Sequence, residues 1–161
     1  MHPLRYTWCV WAHYLHEMDW SNTSYTKVTS SSTVEEIIAF NETVVLSEMV
    51  LRKYMFFYMK QDILPMWEDA SNRLGGCFWF KIPLENVVGN WKTILYTIIG
   101  NTISEIPNFI NDICGVVLSP KKHYYNVQIW MKTRDHSVND ICSTIQTVAG
   151  NSISFKPHAV T

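Results

Sequence analysis

The sequence predicts an α+β protein, with helices on one face of a mostly antiparallel sheet. Three observations predict this class. Short segments rich in aromatic and β-favouring residues recur along the 161 residues, about three helical segments are interleaved with them, and 47% of the residues are hydrophobic while 17% are charged. A chain of this length and composition is expected to fold as one domain, residues 1–161.

The first half of the chain predicts three strands and one helix. Strands are expected over residues 6–14, 25–29 and 53–59, and a polar turn is expected over residues 19–24. Thr33 and Glu36 match a capping box, in which the hydroxyl and the carboxylate each accept from a free backbone N–H at the start of a helix. This helix is expected to continue to about Leu46, with Val34, Ile37, Ile38 and Phe40 among its apolar positions.

The second half predicts a loop over residues 62–76, a strand over 77–82 and a helix over 90–100 that ends at Gly100. Strands over residues 114–118 and 127–131 are expected to pair, with a loop at 119–126 between them. Ser137 with Asp140 is expected to cap a last helix, and a strand over residues 152–155 follows. The apolar positions of that helix are Val138, Ile141, Ile145 and Val148.

Composition excludes several classes of function. The net charge of −1 and the pI near 6.6 argue against long nucleic-acid duplexes as partners, because such binding needs clustered Lys and Arg. The four cysteines are scattered without metal-ligand spacing, so free thiols are expected rather than disulfides or a zinc site. No apolar run approaches about 18 residues, so no membrane span is predicted and a cytosolic location is expected. Seven tryptophans are more than a core of this size needs, which suggests that some serve a surface.

The most informative segment is residues 64–69, where Trp67 and Glu68 follow Pro65. Because Pro65 disfavours regular helix, an indole face and a carboxylate are expected side by side in a loop. This pair suits a flat, electron-poor ring with N–H donors, such as guanine methylated at N7, and Trp20 is a candidate for a second stacking face. Taken alone, a Trp-Glu pair is more often a buried indole beside a solvated carboxylate.

Further motifs occur in one register over nearly the whole chain. In this order they resemble the eukaryotic translation initiation factor 4E family, cytosolic proteins that bind the 7-methylguanosine cap of mRNA. The resemblance implies a curved, mostly antiparallel sheet of about eight strands, with three helices on its convex face and the cap in its concave face. The motifs are His2-Pro3-Leu4, Trp8-Cys9-Val10-Trp11, Asp19-Trp20, Thr33-Val34-Glu35-Glu36, Pro65-Met66-Trp67-Glu68-Asp69, Asn72-Arg73-Leu74-Gly75-Gly76, Cys114-Gly115-Val116-Val117, Ile129-Trp130 and Pro157-His158-Ala159-Val160-Thr161.

The resemblance also implies roles for residues in the pocket. Trp20 and Trp67 would sandwich the methylated base, and Glu68 would accept hydrogen bonds from its ring N–H and amino group. Trp130 would lie against the methyl group. The family binds capped mRNA in translation initiation, so the resemblance implies no catalytic residue, no cofactor and no metal, and a monomer is expected.

The phosphate end departs from the family pattern. Where the family has an Arg and one or two Lys, this chain has Lys121 at the Arg position, His123 at a less regular basic position and Asn126 in place of a Lys. Cys77 replaces another basic residue. Weaker or differently directed phosphate contacts are therefore predicted, with base recognition retained. Two further candidates for the phosphates are Lys122 and Arg73, although Lys121 and Lys122 also fit an ordinary solvated turn.

The predicted partner surface departs further. In the family, a helical motif of a scaffold or repressor protein binds the convex helices through a Val, a Trp and a Leu-Glu pair. Here Ile38 stands at the Trp position, and Lys92 with Thr93 replaces the hydrophobic–acidic pair, so two anchors are missing and a partner diverged from the usual motif is predicted. The residues assigned to this surface are His2, Pro3, Val34, Ile38, Tyr96 and Gly100.

Three other functions are compatible with parts of the sequence. A repressor that sequesters the cap would use the same pocket. An enzyme acting on methylated nucleotides would need a carboxylate cluster for a metal or a nucleophile–base pair. Glu35 and Glu36 lie in a capping box, and His13 and His16 lie at a strand end, so neither pair indicates such a site. A cage for a quaternary ammonium would explain the tryptophans but not the resemblance over the whole chain.

Overall fold

The computed structural model describes residues 1–45 and 47–158. Its described strands form one antiparallel sheet in the order β2-β1-β3-β5-β6-β4-β7. The strands are β1 (Pro3–Tyr14), β2 (Thr26–Thr33), β3 (Tyr54–Lys60), β4 (Gly76–Pro83), β5 (Ile113–Pro120), β6 (Tyr124–Met131) and β7 (Ser154–Pro157). The described part of the chain thus has seven strands, where the resemblance implied about eight.

The helices pack on one face of this sheet. They are α1 (Val34–Phe40), α2 (Glu48–Lys53), α3 (Val87–Ile99), α4 (Pro107–Asp112) and α5 (Ser143–Val148), and a π-helix over Asn41–Val45 follows α1. Every α-helix contributes a buried residue to the core against the sheet, and these residues are Ile37, Leu51, Trp91, Phe109 and Ile145. The α+β class with helices on one face is therefore confirmed.

Alternation along the strands separates the helix-covered face from an open face. In β4, Phe78, Phe80 and Ile82 are buried in the core under the helices. Cys77 and Trp79 belong to a second apolar cluster on the open face, which also contains Phe57 of β3 and Trp130 of β6. Of the seven tryptophans, Trp8 and Trp91 lie in the core. The expectation that some tryptophans serve a surface is confirmed, since the remaining five lie on the open face, namely Trp11, Trp20, Trp67, Trp79 and Trp130.

Both predicted caps are present, but the helical segments that follow them differ from the expected ones. Thr33 and Glu36 form the capping box of α1. That helix changes to the π-helix after Phe40, and Leu46 lies outside the described residues. Ser137 and Asp140 cap only the 3-10 turn Val138–Asp140, and α5 begins separately at Ser143.

Two short helices were missed, and α3 is longer than expected. The helices α2 and α4 have six residues each, too few for a repeating apolar pattern to stand out. The helix α3 begins at Val87 rather than Asn90. It ends at Gly100 as predicted, although the left-handed residue there is Asn101, with φ 62°. Strand β7 is shifted by two residues from the predicted 152–155.

Candidate functional site

The open face contains a cavity of about 340 Å³, here called the aromatic cavity. It lies over β3 and β6 and is closed by the loop before β4 and the segment before β2. The four residues predicted to bind a base all line it. The full lining is Trp20, Tyr25, Met55, Phe57, Pro65, Met66, Trp67, Glu68, Gln128 and Trp130.

Trp20 is held by a stack on His13. Their ring centroids are 3.8 Å apart and their planes are within 1° of parallel. His13 is fully buried, and its Nε2–H donates to the carbonyl of Asp19 at 2.8 Å, which fixes the plane of the imidazole. Trp20 itself is 49% exposed and lines the cavity. One face of the indole is therefore covered by His13, and the residue is oriented before any ligand arrives.

The loop that contains Trp67 and Glu68 is pinned by two polar side chains. The Asp69 carboxylate accepts from the backbone N–H groups of Leu64, at 3.0 Å, and Ser71, at 2.9 Å. The buried Asn72 amide donates to the carbonyls of Leu64, at 3.1 Å, and Met66, at 2.8 Å. These bonds satisfy backbone groups that have no ladder partner, so a loop without regular structure keeps one shape.

The same loop is fastened to the sheet at Gly75. A Cβ at this position would lie 1.8 Å from the backbone carbonyl oxygen of Met131, so only glycine permits the close approach to β6. The Gly75 carbonyl accepts from the backbone N–H of His158 at 3.1 Å and from Nε of Arg134 at 3.2 Å. The end of the loop is therefore tied both to β6 and to the residue after β7.

Trp67 is stacked on His158. The ring centroids are 5.1 Å apart with an angle of 12° between the planes, and the edge of Trp130 also meets His158, at 5.1 Å. His158 Nδ1–H donates to the carbonyl of Asn72 at 2.9 Å. Burial lowers the pKa of His158, which outweighs the opposite effect of this hydrogen bond, and the charge of Arg134 lowers it further. The imidazole behind Trp67 is therefore held in its neutral form more strongly than a free histidine.

Glu68 is the one carboxylate on the lining of the aromatic cavity in the described part of the chain, and its side chain is exposed. Its negative charge affects the pKa of Tyr25, which lines the same cavity. Burial raises the pKa of Tyr25 to about 12, with a further contribution from the negative charge of Glu68. The cavity thus combines apolar ring faces with one negative charge, an arrangement that favours a cationic ring.

Trp130 of β6 forms part of the sheet side of the aromatic cavity. Its indole is 3% exposed and its Nε1–H donates to Oε1 of Gln128 at 2.9 Å. Phe57 meets it edge to face, with ring centroids 6.0 Å apart. Since its N–H is already satisfied, Trp130 offers the cavity a fixed apolar wall rather than a hydrogen-bond donor.

A second cavity of about 250 Å³, here called the side cavity, adjoins the aromatic cavity. Trp67 and Gln128 line both. The other residues of the side cavity are Cys77, Trp79, Asn126, Lys156, Pro157 and His158.

The residues predicted to bind phosphates line neither cavity. Lys121, Lys122 and His123 are exposed in the turn between β5 and β6, and Arg73 is exposed on the loop before β4. Of the other positions compared with the family pattern, Cys77 and Asn126 do line the side cavity. The cation found there, Lys156, was not among the predicted residues.

The residues predicted to bind a partner protein lie on or beside α1 and α3. His2 is joined to α1 through its contacts with Glu35 and through its carbonyl, which accepts from the backbone N–H of Val34 at 2.9 Å. Pro3 pairs with Thr33 at the edge of the sheet. Ile38 is 37% exposed. The remaining two residues, Tyr96 and Gly100, lie on α3 and at its C-terminal cap.

Polar contacts connect this surface between α1 and α3. The amide of Asn41, directly after α1, donates to the Tyr96 hydroxyl at 3.2 Å, and Nζ of Lys92 lies 2.7 Å from the Glu42 carboxylate. The hydrogen bond from Lys92 to Glu42 raises the pKa of Lys92. A positive side chain thus occupies the position where the family has an apolar residue.

Sequence reasoning missed several residues that shape the site. His13 was interpreted as structural only, and Tyr25, Gln128 and His158 were given no role. Gln128 could have been found from the alternation Asn126, Gln128, Trp130 on β6. The stack of His158 on Trp67 could not, because the two residues are 91 positions apart, and the stack of His13 on Trp20 depends on how the segment after β1 folds back.

Residues 1–45 and 47–158 contain neither a candidate metal site nor a membrane-spanning helix. These ranges contain no group of three or more His, Cys, Asp or Glu placed to hold a metal ion. None of their helices is long and apolar enough to cross a membrane.

The fold and the site define a class of protein: an open antiparallel sheet, covered by helices on one face, with a cavity on the other face that is lined by indoles and one carboxylate. The family model of eukaryotic initiation factor 4E matches residues 3–161. The chain therefore belongs to the eukaryotic initiation factor 4E family.

Individual relatives agree with this assignment. The chain is 30% identical over 138 residues to initiation factor 4E of Eremothecium gossypii, a match that covers 82% of this chain and 63% of the relative. It is 31% identical over 140 residues to initiation factor 4E of Saccharomyces cerevisiae, covering 83% of this chain and 63% of the relative. The matched part of the chain thus spans less than two thirds of the length of these relatives.

Solved structures share the fold. Schistosome eIF4E in complex with m7GpppG and 4E-BP has a TM-score of 0.84 at 23% identity, covering 97% of this chain and 88% of that one. Ascaris suum eIF4E-3 with m7G cap has a TM-score of 0.81 at 19% identity, covering 99% and 93%. At these identities the likeness concerns the fold.

Proposed function

We propose that the protein binds the 7-methylguanosine cap of mRNA in the aromatic cavity and acts in translation initiation. The observation that supports this most directly is that Trp20, Trp67, Glu68 and Trp130 line one cavity. They come from three separate segments of the chain, at residue 20, residues 67–68 and residue 130, and a fold without this ligand has no evident need to bring them together. Relatives in the same family have been solved with m7G cap and with m7GpppG.

The chemistry of the cavity accounts for selectivity. Methylation at N7 gives guanine a positive charge, and a cation gains from the faces of Trp20 and Trp67 by about 0.5–2 kcal/mol beyond ordinary stacking. Glu68 accepts hydrogen bonds from the ring N–H and the amino group, at about 1.5–3 kcal/mol for a charged partner. An unmethylated base loses the first contribution entirely and leaves Trp130 without the methyl group against it.

The decisive experiment is a titration with 7-methyl-GTP and, in parallel, with GTP, followed by quenching of tryptophan fluorescence. Quenching at lower concentration by the methylated nucleotide is expected. Trp67→Ala should weaken binding by about 1–3 kcal/mol, the contribution of one stacked base, and Glu68→Ala should also weaken it. Glu85→Ala, at an exposed residue outside both cavities, serves as the matched control. Equal binding of the two nucleotides would overturn the proposal.

We infer that a partner protein binds the surface formed by α1 and α3. Family members have been solved with 4E-BP and with Mextli, which are binding proteins of the same kind. In this chain Ile38 stands at the Trp position and Lys92 with Thr93 replaces the hydrophobic–acidic pair, so the partner is expected to have diverged from the usual motif. Binding of a conventional scaffold peptide at micromolar concentration would contradict this expectation.

The proposed role is binding without catalysis, by a monomeric single domain over residues 1–161 that works in the cytoplasm, where capped mRNA is translated. Incubation of 7-methyl-GTP with the protein and magnesium or manganese should return the nucleotide unchanged. Hydrolysis that is lost in a cavity variant such as Glu68→Ala would instead support the enzyme that acts on methylated nucleotides.

A further inference from the structure

The side cavity and the aromatic cavity carry opposite charges. Glu68 is the only charged group on the described lining of the aromatic cavity, and Lys156 is the only cation on that of the side cavity, which has no carboxylate. Because Trp67 and Gln128 form walls of both, one ligand can occupy the two together. This arrangement fits a molecule with a positive ring at one end and a negative group at the other.

No other group on the side cavity opposes an anion. Burial raises the pKa of the Cys77 thiol to about 11, even though the nearby charge of Lys156 lowers it, so the thiol stays neutral at pH 7. Burial likewise favours the neutral form of His158. The charge of Lys156 is therefore not cancelled within the cavity.

The side cavity also offers amide groups. Oε1 of Gln128 is occupied by the indole N–H of Trp130, which leaves the amide N–H₂ as its donor. Oδ1 of Asn126 is buried and has no hydrogen-bond partner in the described part of the chain. Because Oδ1 is the buried atom of this amide, the N–H₂ is the end that can donate to a group in the cavity.

We propose that the side cavity binds the phosphate chain of the nucleotide whose base occupies the aromatic cavity, with Lys156 of β7 as its principal cation. This assignment rests on the proposed function. Lys156 pairs across the strands with Cys77, the position at which the family pattern has a basic residue. A cation on the neighbouring strand thus supplies the charge that residue 77 lacks.

A second lysine, Lys81, lies farther along the same face of the sheet. Lys81 lies on the same face of β4 as Cys77 and Trp79, opposite Asn126 of β6, and its Nζ is 4.5 Å from the ring centre of Tyr124. The turn with Lys121 to His123 lies beyond Tyr124, the first residue of β6. Tyr124 is about 13 Å along the strand from Gln128, at about 3.3 Å per residue. Lys156 therefore meets the first phosphates, Lys81 lies farther along, and the turn lies beyond both.

Two ligand pairs test the proposal: 7-methyl-GTP against 7-methylguanosine, and GTP against guanosine. Each pair isolates the contribution of the phosphates, while comparison between the pairs isolates that of the methyl group. Lys156→Gln should weaken binding of 7-methyl-GTP about tenfold, as expected for the loss of one charge-assisted hydrogen bond, and leave 7-methylguanosine unchanged. Lys53→Gln, at an exposed residue that lines neither cavity, is the control.

The outcomes separate this proposal from the proposed function. An unchanged ratio of triphosphate to nucleoside affinity in Lys156→Gln overturns the phosphate site, as does an equal loss for both ligands. A loss confined to the double variant Lys121→Gln, Lys122→Gln assigns the charge to the turn and also overturns it. If the wild-type protein does not prefer methylated ligands, the cap function fails, and the GTP pair still reports whether Lys156 binds phosphate.

Discussion

The imidazole of His13 lies parallel to the indole of Trp20, with ring centroids 3.8 Å apart. A second histidine, His158, stacks on Trp67, with ring centroids 5.1 Å apart and 12° between the planes. Each tryptophan proposed to enclose the base is thus backed by a buried histidine ring. The two indoles are held by these stacks, so a ligand does not have to order them.

Replacement of His13 tests the backing of Trp20. His13→Leu fills the position with an apolar side chain but removes the stacked ring. An aromatic pair contributes about 0.5–1.5 kcal/mol, so 7-methyl-GTP is expected to bind about 2- to 12-fold more weakly. His13→Phe also loses the hydrogen bond to Asp19 but keeps a ring, and should bind close to wild type. Titration by fluorescence quenching measures both. Equal weakening in the two variants would show that the hydrogen bond, and not the stack, positions Trp20.

Glu68→Gln tests the charge of the aromatic cavity without changing its shape. The amide keeps one acceptor but removes the negative charge, so binding of 7-methyl-GTP is expected to weaken by about 1.5–3 kcal/mol. Binding of GTP, which carries no ring cation, should change less. Calorimetric titration of both nucleotides gives the difference, with Glu85→Gln as an exposed control. A parallel loss for GTP and 7-methyl-GTP would mean that Glu68 does not recognise the methylated ring.

Asn72→Ala tests the pin of the loop before β4. It removes a buried amide that donates to two loop carbonyls and leaves both carbonyls without this donor, so the free energy of unfolding should fall by about 1–3 kcal/mol. Cap affinity should fall as well, because Trp67 and Glu68 lose their fixed positions. Urea denaturation is the measurement. Leu74→Ala is the control, since that side chain is 74% exposed on the same loop and should change stability by less than about 0.5 kcal/mol.

The lowered pKa of His158 predicts a pH dependence of stability. In the unfolded chain the imidazole takes up a proton near its ordinary pKa of 6.5, whereas the folded protein resists protonation to a lower pH. Between these two values the unfolded state binds more protons, so the contribution of His158 is complete above pH 6.5 and is lost as the pH falls toward the folded pKa. Urea denaturation from pH 8 to pH 5 should show this loss.

A matched variant isolates this contribution from those of the other histidines. His158→Asn places an amide N–H near the position of Nδ1 and does not titrate. The stability advantage of the wild type over this variant should therefore shrink as the pH is lowered. A difference that stays constant over the range would show that His158 has the same pKa in both states.

The partner surface predicts a gain from two substitutions. Ile38→Trp and Thr93→Glu together restore the indole and the carboxylate that the family uses, so the affinity for a peptide with the conventional helical motif should rise. Each restored anchor is expected to contribute about 1–2 kcal/mol. Fluorescence anisotropy of a labelled peptide measures the change, and Glu85→Gln is again the control. No gain would indicate that Lys92 and its ion pair with Glu42 block the motif.

The strands and caps could be predicted because their causes are local. Segments rich in aromatic and β-favouring residues located most strands, and the capping box at Thr33 and Glu36 placed the start of α1. The helices α2 and α4 could not be found this way. Each has only six residues and is stabilised as a helix because buried side chains, such as Leu51 and Phe109, pack on the sheet.

The residues proposed to bind the cap could be named because their chemical types and order match the family motifs, whereas the residues that support them could not. His13, Asn72 and His158 act on Trp20 and Trp67 through contacts made only in the folded protein. Their side chains show no distinctive pattern in the sequence.

The sequence by itself determined the class of fold, the family and the aromatic–acidic character of the site, because these depend on residue type and spacing. The tertiary structure alone decided which cation lines the side cavity. Lys156 and Cys77 are 79 positions apart in the sequence, yet the antiparallel pairing of β4 and β7 sets them side by side. The electrostatic energy of two groups depends on the distance between them in the folded protein, and the register of the sheet fixes that distance.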